Sequence, residues 1–310
     1  MKQLVILSGK GGTGKTSIAA AFAYLAYAGP SPIQAVLADA DVDAANLELV
    51  LQPCRLEEHE FLGGAVAVID ECLCQGCGIC EQVCRFEAIL PPGSENGMSY
   101  RVDPIACDGC AACEYQCPDQ AIHMEVQLAG RWFRSNSRYG AMIHAELRPA
   151  QENSGKLVTL VKQQARLLGL DTGAELVIVD GPPGIGCPVI SALSGIDLAL
   201  LVVEPTAAGI HDMERVLQLT QHFHLPAMVC INKADIYSEG ARKICEYCDH
   251  NQVEVAGSIP FDATIPQAMV KGEPVTAYRI TSPASLALVG LWQRVVASLE
   301  DLPQGKANQG

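Results

Sequence analysis

Eight of the chain's 14 cysteines fall into two copies of one spacing. Cys74, Cys77, Cys80 and Cys84 form the first run; Cys107, Cys110, Cys113 and Cys117, followed by Pro118, form the second. Thiolates bind iron, and two residues between successive thiols let one loop wrap three corners of an iron–sulfur cube. A zinc site takes four ligands, usually as two short pairs, so two complete four-cysteine runs point away from zinc. The second chemical feature is Gly9-Lys10-Gly11-Gly12-Thr13-Gly14-Lys15-Thr16, which follows a short apolar run. Glycines let backbone N–H groups approach phosphates without a Cβ clash, and the helix that follows adds its positive end. In such a loop Lys15 reaches the β- and γ-phosphates and the Thr16 hydroxyl ligates Mg²⁺. Residues Gly11, Gly12, Thr13, Gly14, Lys15, Thr16 and Ser17 are therefore the expected nucleotide-binding segment.

These groups must be positioned by the elements around them. Apolar runs at 3–7, 35–38, 175–179, 198–203 and 227–231 read as buried strands, with helical stretches at 16–28, 155–168, 209–222 and 240–250. Strands apolar throughout suit a parallel sheet covered on both faces, and the alternation predicts a doubly wound, mostly parallel α/β fold. The cysteine runs interrupt that pattern with a repeat at an offset of 33: Ile69-Asp70 matches Val102-Asp103, and Ala88-Ile89 matches Ala121-Ile122. Each half reads as strand, ligand loop, short helix and return strand. The expected organisation is a first part at 1–66, an insert at 67–127, a second part at 128–302 and a frayed tail at 303–310. Residues 131–147 read as extended structure leading back from the insert.

The paired cysteine runs are similar to the two-cluster run of bacterial ferredoxins. That resemblance implies an α+β insert with two [4Fe–4S] clusters, cluster I on Cys74, Cys77, Cys80 and Cys117, and cluster II on Cys107, Cys110, Cys113 and Cys84. Arg85 stands where the family has a second proline. The loop from Lys10 to Thr16 resembles the deviant Walker A loop of the MinD/ParA class of ATPases, which belongs to the SIMIBI type of P-loop NTPases and includes the nitrogenase iron protein and Mrp-type cluster carriers. Ala38-Asp39-Ala40-Asp41-Val42-Asp43 looks like the class's switch I. Asp180-Gly181-Pro182-Pro183-Gly184 looks like its Walker B and switch II. Asn232-Lys233-Ala234-Asp235 and Ile259-Pro260-Phe261-Asp262 look like segments near the base. The resemblance implies ATP and ADP as ligands, Asp39 and Asp180 holding Mg²⁺ directly or through water, and Asp41 orienting the attacking water. It also implies Lys10 reaching across an ATP-state homodimer, and Asn232, Pro260 and Asp262 at the adenine; an Asn at a strand end such as Asn232 also reads as a turn cap. Asp43 reads as a solvated loop acid.

Composition limits the partners. Net charge is −14, so nucleic acid is not an expected partner. Residues 67–127 carry ten Asp and Glu against two Arg, a net charge of −8, which suits either a basic redox partner or a solvated surface. Cluster-type cysteines and a first strand at about Lys2 predict a reducing, cytoplasmic compartment with no signal peptide. No run approaches membrane-spanning length, so no stable membrane insertion is expected. The amphipathic segment at 285–299 has only Arg294 as a base, which suits core packing rather than a membrane surface. Of the other cysteines, Cys72 reads as a bystander, and Cys54 and Cys230 as buried small apolar residues. Cys245 and Cys248 form an isolated CxxC. Cys187, after switch II, reads as a packed or nucleotide-sensing thiol rather than a cluster ligand. Three functions compete: an ATP-gated electron carrier serving an unidentified redox protein, an iron–sulfur or metallocluster assembly or carrier ATPase, and a positioning or scaffold ATPase.

Overall fold

The continuous apolar runs form strands, and their burial on both faces is what a covered parallel sheet requires. The computed structural model describes residues 1–93, 97–148 and 154–303; most of the expected tail, 304–310, lies outside the described residues. In chain order the strands are β1 (Lys2–Ser8), β2 (Ala35–Asp39), β3 (Cys54–Ile69), β4 (Ile89–Leu90), β5 (Arg101–Val102), β6 (Ile122–Ser137), β7 (Gly140–Leu147), β8 (Leu176–Pro183), β9 (Leu198–Val203), β10 (Ala227–Asn232) and β11 (Glu254–Ile259). The helices are α1 (Lys15–Ala28), α2 (Leu47–Leu51), α3 (Ile79–Val83), α4 (Ala112–Gln116), α5 (Ser154–Thr172), α6 (Cys187–Leu193), α7 (Ala207–His222), α8 (Ser238–His250), α9 (Thr264–Val270), α10 (Val275–Tyr278) and α11 (Pro283–Asp301). The chain divides into two compact units. One comprises Met1–His59, Trp132–Glu146 and the chain from Ser154 onward; the other comprises Glu60–Arg131 with a segment beginning at Leu147.

In the nine-stranded sheet, hydrogen-bonded strand order runs β11-β10-β9-β1-β8-β2-β7-β6-β3. β1 pairs in parallel with β8 and β9, and β2 pairs in parallel with β8 and β7. This order brings the C-terminal ends of β1, β2 and β8 together, where the expected phosphate loop and acids begin. α1 is rich in alanine, so its backbone packs closely on the sheet, with Ala19, Ala20, Ala21, Ala23 and Ala26 buried. α11 buries Leu288, Leu291, Trp292, Val295 and Leu299 in the same core, which is the packing role its amphipathic spacing suggests. Its start is set by Ser282, whose side chain accepts from the Ser285 N–H, and by Pro283 in the first turn. No helix among the described residues is long and apolar enough to cross a membrane. The segment at 131–147 is resolved into the end of β6 and β7, and β7 adds a parallel neighbour to β2.

The second unit repeats itself in its hydrogen bonds. Asp70 N–H donates to Ala121 O at 2.7 Å, and Asp103 N–H donates to Ala88 O at the same distance. Cys74 N–H bonds to Asp70 O and Cys107 N–H to Asp103 O, both at 3.0 Å. The side chains of Asp70 and Asp103 cap the next turns, accepting from Cys72 N–H at 2.8 Å and Ile105 N–H at 2.9 Å. Gly76 and its counterpart Gly109 both hold positive φ, 71° and 74°. A Cβ there would sit 2.7 Å from Met98 O or 2.4 Å from Ala65 O, so each ligand loop turns only on glycine. A small core of Ala67, Ile89 and Ile122 packs with Cys80 and Cys113.

Phe22 is fully buried, with its ring 5.0 Å from that of Trp292. Phe22→Ala should cost about 3–5 kcal/mol through lost transfer energy and the cavity left behind. Equilibrium denaturant unfolding checks this, and a loss below about 1 kcal/mol would show that the core collapses around the site.

Candidate functional site

The phosphate loop leaves β1 and enters α1 through Gly14, whose φ is 99°. A Cβ on Gly14 would lie 2.5 Å from Asn232 Nδ2, so this position excludes a side chain on both conformation and space. Asn232, at the end of β10, donates Nδ2–H to Thr13 O at 2.6 Å, and its Oδ1 accepts the Lys233 N–H at 3.0 Å. Its amide therefore ties the sheet edge to the loop, a role the sequence weighed as a cap against base contact. Gly11, Gly12 and Thr16 complete the turn into α1, and Ser8 Oγ–H donates to Lys10 O at 2.6 Å. Gly12, Gly14, Ser17, Asn232, Pro260 and Asp262 line one face of a cavity of about 260 Å³, with Ile18, Ile259, Phe261 and Leu288 supplying apolar walls. Asp262 is committed to backbone: its oxygens accept from Thr264 N–H at 2.8 Å and Ala284 N–H at 3.2 Å. It thus orients the starts of α9 and α11 beside the cavity. Ser17 Oγ–H lies 3.4 Å from Met269 Sδ.

Three acids meet beneath the loop. The register of β2 on β8 sets Asp39 beside Asp180, and both are fully buried; Asp41 is 8% exposed. Asp39 accepts from Leu47 N–H at 3.0 Å and Asp41 N–H at 3.3 Å. Burial, then the neighbouring charge of Asp180, hold the Asp39 carboxyl well above the usual range. Burial also raises Asp180, against the opposing pull of the nearby Thr16 hydroxyl and Lys15. Burial pushes Asp41 up to about 6, again opposed by Lys15. Lys15 is 4% exposed, and its Nζ lies 3.9 Å from Asp41 Oδ2. Neither carboxylate oxygen of Asp180 has an aligned hydrogen-bond partner. Asp43 is exposed.

The thiols of the second unit surround two cavities. Cys74, Cys77, Cys80 and Cys117 line one small cavity of about 10 Å³, and Cys84, Cys107, Cys110 and Cys113 line another of about 20 Å³. Each cavity draws three thiols from one run and its fourth from the other. Among the described residues no group of three or more His, Cys, Asp or Glu converges as ligands of a single ion do. Ligands of a cube sit at separate iron corners and need not converge on one point. Cys117 Sγ also accepts the Ala121 N–H at 3.3 Å. The all-thiol donor set fits iron–sulfur clusters.

Residues 4–275 match the CobQ/CobB/MinD/ParA nucleotide binding domain family. The chain belongs to this family. Members of the MinD/ParA group are ATPases, and so is this protein. An uncharacterized protein of Methanocaldococcus jannaschii is 33% identical over 266 residues, covering 86% of each chain. An iron-sulfur cluster carrier protein of Pyrococcus horikoshii is 27% identical over 164 residues, 48% of this chain and 54% of that protein. Among solved structures, MinD of the Aquifex aeolicus MinC:MinD cell division complex superposes with a TM-score of 0.58 at 19% identity, covering 99% of both chains. Pyrococcus horikoshii MinD with Mg-ADP gives 0.56 at 17% identity, covering 96% of this chain and 98% of that one.

In this site the three buried carboxylates outnumber the one lysine buried beside them, Lys15, and a buried charge without a partner is costly. The unpartnered oxygens of Asp180 beside Thr16 are the donor chemistry of a hard divalent cation such as Mg²⁺. One residue of the site carries no sequence motif. Glu204, just after β9, bridges two lysines, with Oε2 2.8 Å from Lys10 Nζ and Oε1 2.5 Å from Lys233 Nζ. Burial pushes its carboxyl up, but the hydrogen bonds from both lysines outweigh this and hold it below its ordinary value. A lone acid at a strand end gives no signal in sequence.

The remaining cysteines divide. Cys230 is fully buried, and burial drives its thiol up to about 12. Cys54 is exposed, correcting the expectation of a packed residue, because β3 begins with solvent-facing positions. Cys187 is exposed at the start of α6, so it is not a packed thiol. Cys248 is buried, Cys245 is half-buried, and Cys72 is exposed.

A carboxyl whose folded pKa is raised favours folding when protonated, and that contribution fades as pH rises through the folded value. For Asp41 the window runs from 3.8 to about 6, and Asp180 titrates in the same upward direction. Metal-free protein should therefore lose stability across that window, while Mg²⁺ with ADP should restore it above pH 6 and little below. Asp180→Asn should flatten both dependences. Thermal unfolding from pH 5 to pH 8, with and without Mg²⁺-ADP, measures this; an Asp180→Asn profile that parallels wild type contradicts the assignment.

Proposed function

We propose that the chain is an ATP-dependent iron–sulfur protein that works as a nucleotide-state homodimer and delivers electrons to a partner protein. The observation that carries this reading is the pair of four-thiol cavities, each built from both cysteine runs, in a chain that also holds the nucleotide loop. In this reading cluster I is held by Cys74, Cys77, Cys80 and Cys117, and cluster II by Cys107, Cys110, Cys113 and Cys84. When bound, such clusters supply one-electron redox chemistry. The protein's own contribution is to fix the thiols with glycine turns and to bury Cys80 and Cys113. The acidic composition of residues 67–127 favours a partner with a basic surface. A reducing, cytoplasmic setting follows from the thiols.

Phosphoryl transfer to water depends on positioning and charge stabilisation. Lys15 and the N–H groups of residues 11–16 bind the phosphates. Thr16, Asp39 and Asp180 would hold Mg²⁺, directly or through water, and Asp39 is oriented for this by the Leu47 and Asp41 N–H groups. Asp41 orients the attacking water, and the cavity lined by Pro260 and Asn232 takes the base. Lys10 leaves Glu204 to reach the partner subunit's nucleotide. The insert is residues 67–127, within the compact unit Glu60–Arg131.

A second reading is favoured by one comparison: relatives at 27% identity are named iron-sulfur cluster carrier proteins. In that case a cluster, rather than an electron, leaves the protein. The two separate on the iron count after contact with an acceptor, which stays constant for an electron donor and falls for a carrier.

Anaerobic reconstitution should give about eight iron atoms per chain, as two cubes require. Stoichiometric zinc with no visible absorbance would sink the cluster reading. Lys10→Ala should leave nucleotide binding by the monomer within about twofold while lowering ATP-dependent dimerisation and turnover at least tenfold, because a charge at the transferred phosphate acts in the transition state. Sedimentation and phosphate release measure this. Wild-type dimerisation in Lys10→Ala would remove the lysine from the interface.

A further inference from the structure

A second row of polar side chains lies beside the metal-site acids, and neither the sequence motifs nor the family resemblance assigns it. The register of β2 on β7 sets His144 beside Asp39, as the register on β8 sets Asp180 on the other side. Residues in register on adjacent strands project to the same face of the sheet. His144 is fully buried. Its Nε2 lies 2.9 Å from Ser135 Oγ, and its Nδ1 lies 3.2 Å from Glu48 Oε2. Glu48 is the second residue of α2, and the first, Leu47, donates its N–H to Asp39 Oδ2. The links run from Asp39 to Leu47, from Leu47 to Glu48 within one helical turn, and from Glu48 to His144, which is itself the register partner of Asp39 on the neighbouring strand.

The chemistry of these links is defined by their neighbours. Arg55 donates to Glu146 Oε1 at 2.5 Å and to Glu48 Oε2 at 3.4 Å, and its guanidinium lies 3.9 Å over the Phe133 ring. Burial, and then Arg55, push the His144 pKa down to about 4, so the imidazole is neutral. A carboxylate only accepts, so the ring proton belongs on Nδ1 facing Glu48, and Nε2 accepts from the Ser135 hydroxyl. Ser135 is 1% exposed, so the order Ser–His–Glu offers no nucleophile to a substrate. The Nδ1 contact lacks the alignment of a hydrogen bond. A buried donor left in that state gains from any small shift of α2 that aligns it.

We propose that Glu48 and His144 are positioning residues for ATP hydrolysis. They pin α2, and through the Leu47 N–H they fix Asp39 and the loop carrying Asp41. The inference rests on the roles given above to Asp39 and Asp41. A pull on Asp39 by bound Mg²⁺-nucleotide would pass through the Leu47 N–H to α2 and so to the Glu48–His144 contact.

The test uses Glu48→Ala, because Glu48 is partly exposed and its loss spares the core. Turnover should fall by about 10- to 100-fold, the scale for misplaced catalytic groups, with KM for ATP little changed. The Mg²⁺ concentration for half-maximal activity should rise, while the melting temperature of the metal-free protein stays near wild type. Glu48→Gln, which keeps an acceptor for Nδ1–H, should recover most of the turnover. In nitrogen-15 spectra of wild type, adding Mg²⁺-ADP should sharpen and shift the His144 Nδ1–H resonance downfield; in Glu48→Ala it should not. Unchanged turnover and Mg²⁺ dependence in Glu48→Ala overturn the proposal, as does a lowered melting temperature with kinetics unchanged. Asp39→Asn and Asp41→Ala run alongside: full activity in both overturns the underlying site reading, whereas loss in both with normal Glu48→Ala kinetics overturns only the positioning.

Discussion

Three buried acids at or just past the ends of adjacent strands, and one buried lysine that opens α1, set the constraint on which the ATPase unit depends. Asp39 can be satisfied by backbone donors because the chain turns straight into α2, whose first N–H faces it. Asp180 has no such turn and keeps two unpartnered oxygens. Leaving a buried acceptor unmade costs on the order of 1–3 kcal/mol, more when it is charged. The fold tolerates this because the site is completed by a cation and a polyphosphate, so local stability is exchanged for a binding site. The raised pKa values of all three acids express the same strain in protonation.

Parallel register is what makes this arrangement possible. Asp39 and Asp180 are 141 positions apart, yet the β2–β8 pairing aligns them. The same sheet places β1 between β8 and β9, so the phosphate loop leaves next to Glu204 and Asn232. Glu204 then takes Lys10, and Asn232 takes the Thr13 carbonyl. The loop is thereby held at two points by side chains from strands far away in sequence. The second unit uses a different solution: an internal repeat whose turns are fixed by Asp70 and Asp103, with thiols closing two cavities.

Much of this was legible in the amino-acid order because the relevant signals are local. Glycine-rich loops, cysteine spacing and unbroken apolar runs each state their own geometry, and β1, β2, β8, β9 and β10 lie where those runs predict. What was not legible depends on long-range pairing. β11 and α6 are short, with no strong periodic pattern, and are defined by what they pack on. Glu204 is one acid at a strand end. Glu48, Ser135 and His144 have no common motif and meet only through the β2–β7 register. Asn232 was read as a contact for the base, with a turn cap as the alternative; its distance to Thr13 shows the amide engaged by the loop. Cys54 misled because residue type suggested burial while the start of β3 faces solvent.

The central claim is that nucleotide binding in one unit controls redox chemistry in the other. The most direct measurement is an anaerobic, EPR-monitored redox titration of the reconstituted protein, with and without a non-hydrolysable ATP analogue and Mg²⁺. The account predicts that the analogue shifts the reduction potential of at least one cluster by about 30 mV or more, a change of roughly threefold in the equilibrium constant of a one-electron couple. It also predicts that the shift disappears in Lys10→Ala. Superimposable titrations, together with an unchanged rate of electron delivery to an acceptor, would mean that the two modules share a chain without communicating.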